Sequence, residues 1–208
     1  MLVVVAAALV AGAAPFGAAA AERPVKLVAF GDSLTAGFGV AADEAFPAKL
    51  QAALRAKGCD VEVINAGVSG DTASGGLDRL DWSIPDGTDA AIVELGANDA
   101  LRGIDPSVTR KALDQILERL RAKGIKVLLA GMRAPPNMGE AYASQFDAIF
   151  PDLAKAHGVP LYPFFLEGVA GHRALNQPDG LHPLPAGVDV IVRGILPQVE
   201  ALLGTRSR

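Results

Sequence analysis

From Val25 onward the chain alternates short apolar runs with longer stretches in which apolar residues recur every three or four positions. That alternation restricts the fold more than any other feature, because it is the pattern of repeated strand–helix units. Val25–Phe30, Val61–Asn65, Ala90–Leu95 and Lys126–Ala130 read as strands, and a fifth is expected around Pro160–Tyr162. Phe46, Leu50 and Leu54 recur at helical spacing and Gly58 follows as a stop signal, which predicts a helix over Phe46–Lys57. Asp105-Pro106 supplies a cap and a first-turn proline for a second helix, whose buried face is expected to carry Val108, Ala112, Ile116 and Leu120. Further helices are predicted over about Ala143–Ala156 and from Pro185 to about Leu203.

Near-continuous apolar strands, each followed by a helix, imply a parallel sheet covered on both faces. The expected fold is α/β, a three-layer α/β/α sandwich around a five-stranded parallel sheet. Ligands in such folds collect beyond the carboxyl ends of the strands, so the loops after Phe30, Asn65, Leu95, Ala130 and Tyr162 are where a site belongs. At 208 residues the chain suits one core and one site.

Met1–Ala21 carries no charged side chain, and its apolar run ends in four alanines before Glu22. It reads as a secretory leader cleaved near Ala20 or Ala21, although no basic residue precedes the run. An exported product, periplasmic or secreted and without a stable membrane anchor, is therefore expected. A net charge of −4 offers no basic surface for a phosphate backbone, so nucleic acid is not an expected partner. The single cysteine, Cys59, has no partner for an internal disulfide and reads as a half-buried thiol.

The strand-end loops are rich in small and polar residues: Gly31-Asp32-Ser33-Leu34, Gly67-Val68-Ser69-Gly70-Asp71, Gly96-Ala97-Asn98-Asp99, and then Asp179-Gly180-Leu181-His182-Pro183. A serine hydroxyl is a poor nucleophile at neutral pH. It needs a base, and the base needs a group that fixes its tautomer. Asp179 and His182, with two residues between them on a turn, can supply both to Ser33. Ser33 N–H, Gly70 N–H and the Asn98 side-chain amide are candidate oxyanion donors, Gly70 because a missing Cβ allows close approach. Asp32 and Asp99 adjoin these residues and read as partners for neighbouring backbone N–H groups. His157, near a predicted helix end, reads as a C-terminal cation or cap, and His172 sits in a glycine-flanked loop without an acid at the same spacing.

Taken together, these blocks and the stretches Asn65–Thr72 and Val93–Asp99 resemble the GDSL, or SGNH, hydrolase family, whose four letters would fall on Ser33, Gly70, Asn98 and His182. The resemblance spans residues 22–208 and points toward bacterial periplasmic arylesterases and multifunctional thioesterase, protease and lysophospholipase enzymes. It implies a flavodoxin-like strand order and acyl ester and thioester hydrolysis without metal or other cofactor. The implied substrate is a small acyl ester or thioester, with lysophospholipids among the candidates, and the protein is expected to be a monomer or small homo-oligomer. Ala97 departs from that group, where a second glycine is common. A carbohydrate O-acetyl esterase on the same scaffold and a non-catalytic acyl or glycan binder are the alternatives.

Two motifs point elsewhere. Gly37-Phe38-Gly39-Val40-Ala41-Ala42 satisfies a relaxed dinucleotide fingerprint, yet Gly31-Asp32-Ser33 already occupies the turn after the first strand where that fingerprint belongs. No Gly-x-Ser-x-Gly segment occurs, which disfavours the larger α/β-hydrolase superfamily. An acyl pocket is expected between the loop Met132–Met138, with Pro135 and Pro136, and the run Phe164-Phe165-Leu166.

Overall fold

A computed structural model describes residues 23–204; the expected leader lies outside the described residues. Five parallel strands, β1 (Val25–Gly31), β2 (Val61–Gly67), β3 (Ala90–Glu94), β4 (Lys126–Ala130) and β5 (Leu161–Tyr162), form one sheet in the order β2-β1-β3-β4-β5. This is the flavodoxin-like order, and it has a direct consequence for where helices lie. Right-handed crossovers place the β1-to-β2 helix on one face and the later crossover helices on the other. Accordingly α2 (Phe46–Ala56) packs against α8 (Pro185–Leu203), while α3 (Ala73–Ser83) packs against α5 (Pro106–Ala122), which also meets α7 (Ile149–His157). Winding reverses between β1 and β3, and the crevice at that switch point is the expected ligand position.

The central strands are apolar because both of their faces are covered: Leu27–Phe30 on β1, all of β3 and Val127–Ala130 on β4 are buried. Phe46 and Phe165 meet edge to face at 5.0 Å beneath α2, and Ile191 and Ile195 of α8 are buried as the periodicity requires. Among the described residues no helix is long and apolar enough to cross a membrane. Cys59 is half-buried.

Three departures from the sequence reading have local causes. The helix expected over Ala143–Ala156 is two, α6 (Glu140–Asp147) and α7, meeting at Ala148. Pro151 has no N–H to offer the carbonyl of Asp147, so the ladder is interrupted there. On α5 the exposed residue is Val108, and Thr109 is buried in its place because its hydroxyl donates to Asp99 Oδ1 at 2.8 Å. Helix α3 was not legible beforehand, since Gly75-Gly76 occupies its first turn; Thr72 caps it by accepting from Gly75 N–H.

Candidate active site

The carboxyl ends of β1 and β3 present two short helices toward the crevice. After β1, Asp32 caps α1 (Ser33–Ala36) by accepting from Leu34 N–H at 3.0 Å, which sets Ser33 at the first helical position. After β3, Gly96 at φ 116° turns the chain into α4 (Ala97–Leu101), which carries Asn98. From the far end of the chain, the turn before α8 brings in His182. Its Nε2 lies 3.0 Å from Ser33 Oγ, and its Nδ1 lies 2.7 Å from Asp179 Oδ2. Asp179 is fixed in turn by its other oxygen, Oδ1, which accepts from Leu181 N–H at 2.9 Å and His182 N–H at 3.1 Å. The imidazole, foremost, and then these two amides hold its carboxyl down to about 2. The network demands the tautomer with a proton on Nδ1, leaving Nε2 to accept from the serine.

Ser33 and His182 open onto a cavity of about 500 Å³ walled by Leu34, Leu101, Met132, Pro135, Pro136, Phe164 and Leu166, with Ala97 and Asn98 at its edge. Pro135, Pro136 and Phe164 thus lie where the sequence reading put an acyl pocket. Phe165 does not. Its N–H donates to Gly131 O at 2.8 Å in the turn after β5, and its ring lies in the core against Phe46. Arg133 lies over the Phe164 ring at 4.7 Å, on the cavity wall.

The expected oxyanion donors differ in readiness. Both Asn98 amide hydrogens are directed at protein acceptors, Asp71 O at 2.9 Å and Asp32 Oδ2 at 3.1 Å. Gly70 sits at φ +85°, and a Cβ there would meet only the Arg102 guanidinium at 3.6 Å. Its backbone conformation, not crowding, is what calls for glycine. Its carbonyl accepts from Arg102 at 2.7 Å, and the Asp71 carbonyl joins this loop to Asn98.

Beneath Ser33 lies a layer the sequence reading missed. Glu94, the last residue of an otherwise apolar strand, is wholly buried and accepts from the Thr35 hydroxyl at 2.7 Å through Oε2. Its Oε1 is the one buried side-chain polar atom among the described residues that lacks a partner. Burial, then the nearby Asp32 charge, pushes the Glu94 carboxyl well up. Burial also pushes Asp32 up to about 6, against its bonds to Leu34 and Asn98. Such a dry site favours the uncharged form of Glu94. Arg79 is the second hidden element: it donates to Asp71 at 2.5 Å, Gly31 O at 2.8 Å and Ala66 O at 2.9 Å, and stacks over Phe30. One guanidinium therefore ties the ends of β1 and β2 to the loop carrying Gly70. Asp99 has the structural role expected of it, accepting from Ala73 N–H and Thr109. His157 pairs with Asp114 on α5, away from the crevice.

The profile of the GDSL-like Lipase/Acylhydrolase family matches residues 29–190. The chain belongs to this family. Among relatives of this GDSL-like protein, esterase TesA of Pseudomonas aeruginosa is 39% identical over 178 residues, covering 85% of this chain and 89% of that one. Thioesterase 1/protease 1/lysophospholipase L1 of Escherichia coli is 43% identical over 193 residues, covering 92% and 90%. The crystal structure of AlinE4, an SGNH-hydrolase family esterase, superposes with a TM-score of 0.74 at 46% identity, covering 88% of this GDSL-like chain and 99% of that one.

Proposed function

We propose that the chain is a serine esterase hydrolysing acyl esters and thioesters through an acyl-enzyme on Ser33. The observation that carries this reading is the unbroken line from Asp179 through His182 to Ser33 Oγ, ending at the mouth of an apolar cavity. Ser33 Oγ bonds to the substrate carbonyl carbon as His182 Nε2 takes its proton; the carbonyl electron pair moves onto oxygen. Ser33 N–H, Gly70 N–H and Asn98 Nδ2 receive the oxyanion, Asn98 by sharing the longer of its two bonds, the one to Asp32. Collapse expels the alcohol or thiol with the proton from His182. A water molecule, deprotonated by the same imidazole, then releases the acid and restores Ser33. Asp179 keeps the imidazole in the required tautomer throughout.

The acyl portion fits between Leu34, Met132, Pro135, Phe164 and Leu166. A cavity of that size and apolarity suits an acyl chain longer than acetyl, which separates this reading from a carbohydrate deacetylase. A lysophospholipid is one such substrate. The uncharged Met1–Ala21 segment supports export to the periplasm or medium. The test is a chain-length series of p-nitrophenyl esters run beside Ser33→Ala and His182→Ala. Turnover should rise beyond the acetyl ester and fall on the order of 10³-fold or more in both variants. Full activity in Ser33→Ala would overturn the mechanism.

A further inference from the structure

The segment Gly37-Phe38-Gly39, which mimics a dinucleotide fingerprint, has another occupation in the fold. Phe38 is half exposed, yet its ring lies against the His182 imidazole with centroids 4.6 Å apart and planes inclined at 41°. Its backbone is fastened at both ends. The Phe38 N–H donates to the carbonyl of Ser33 at 3.1 Å, and its own carbonyl accepts from Gln177 Nε2 at 2.7 Å. Gln177 belongs to the histidine loop: its N–H donates to His182 O at 2.7 Å, and Nε2 also reaches Pro183 O at 3.2 Å. The flanking glycines make this possible. Gly37 and Gly39 sit at φ +85° and +75°, and a Cβ on Gly39 would stand 2.3 Å from Gln177 Oε1. A chain with side chains at these two positions could not bring Phe38 onto the imidazole while Gln177 holds its carbonyl.

We propose that Phe38, held by Gln177, is a positioning residue for His182 that steadies the ring between Asp179 and Ser33 and favours the imidazolium formed when the serine proton arrives. The inference rests on His182 being the general base. Chemically, the ring is in contact with the one side chain whose charge changes during the reaction, and an aromatic face attracts a cation within about 6 Å of its centroid. An aliphatic side chain of similar bulk would fill the space and offer no such attraction. Phe38 forms no part of the wall of the acyl cavity, so its effect belongs on kcat and not on acyl binding.

Steady-state hydrolysis of a p-nitrophenyl ester by the full chain and its Phe38→Leu, Phe38→Trp, Gln177→Ala and Phe38→Leu/Gln177→Ala variants tests this, with thermal unfolding confirming that each is folded. Phe38→Leu should lower kcat about two- to five-fold at nearly constant KM, and Phe38→Trp should restore it. Gln177→Ala should lower kcat in the same direction, and the double variant should be no slower than the slower single one, because both changes act through one contact. Wild-type kcat in Phe38→Leu, an equal loss in Phe38→Trp, or an effect confined to KM would overturn the proposal. Ser33→Ala separates the two layers: if it stays active, the base reading itself fails, whereas if it is inactive while Phe38→Leu is unchanged, only the role of Phe38 fails.

Discussion

Asp179 and Asp32 both act electrostatically on the same imidazole, from opposite surroundings. Asp179 stands at the solvent edge and is bonded by the imidazole and two backbone amides; those bonds pull its carboxyl down to about 2. Asp32 also accepts two hydrogen bonds, from Leu34 N–H and Asn98, yet it has no exposed surface and its carboxyl is pushed up to about 6. Hydrogen bonding decides the outcome where water remains, and desolvation decides it where water is gone. Within one site, then, one carboxylate is held in its charged form and bonded to the imidazole, while the other sits nearer its point of titration and accepts from Asn98.

Changing the exposed member should have the largest effect. Asp179→Asn preserves shape but favours the wrong imidazole tautomer, and kcat/KM should fall on the order of 10³- to 10⁴-fold. A loss below about ten-fold would mean that the exposed carboxylate does not orient His182. Next in size is Arg79→Ala on the buried side. It leaves the half-buried Asp71 carboxylate without its cation and removes one donor each from the Gly31 and Ala66 carbonyls, and urea unfolding should show a loss of about 3 kcal/mol. Asp32→Asn should lower kcat about ten-fold, because a new amide faces the Asn98 amide and a negative charge near His182 is lost, while the cap to Leu34 persists. An Asp32→Asn loss as large as that of Asp179→Asn would erase the division of labour between the two.

The smallest effect concerns pH. Asp32 and Glu94 hold protons in the folded chain at pH values where the unfolded chain has released them. Their contribution to stability is full below about pH 4, the unfolded range, and is lost as pH rises through the higher folded values. Glu94→Gln removes one such group, so the decline of Tm as pH rises above the unfolded carboxylate range should become shallower in differential scanning calorimetry, by about 2–4 °C per kcal/mol removed. An unchanged slope would locate the ionisation elsewhere.

The exposed half of this comparison was legible in the sequence and the buried half was not. Ser33 opens the short helix α1 and Asp179 and His182 stand on a turn, in segments where small and polar residues contrast with the apolar strands. Glu94 follows Ala90–Val93 without a break in pattern, and only the polarity of one residue in a buried strand hinted that it needed Thr35. Arg79 gave less warning still, because Gly75-Gly76 concealed the helix that carries it. The five strands were readable because both faces of the sheet are covered, which forces apolar runs. The wall of the cavity was half readable: Phe164 and Phe165 are chemically alike, and which one faces inward depends on the path of the turn that follows a strand of two residues. The commitments of Asn98 were likewise invisible, since they depend on the distance to Asp71 and Asp32 across separate loops.

Ser33 and His182 lie 149 residues apart, and the imidazole is carried on the turn that leads into α8, the helix packed on α2. The serine proposed as nucleophile is thus encoded near the beginning of the described residues and the histidine proposed as its base near the end. A ribosome must finish almost the whole domain before the pair can meet, and a chain shortened before Asp179 retains the serine with nothing to take its proton. On the proposed mechanism ester hydrolysis reports completion: no fragment ending before Asp179 carries all three members of the line from Asp179 through His182 to Ser33.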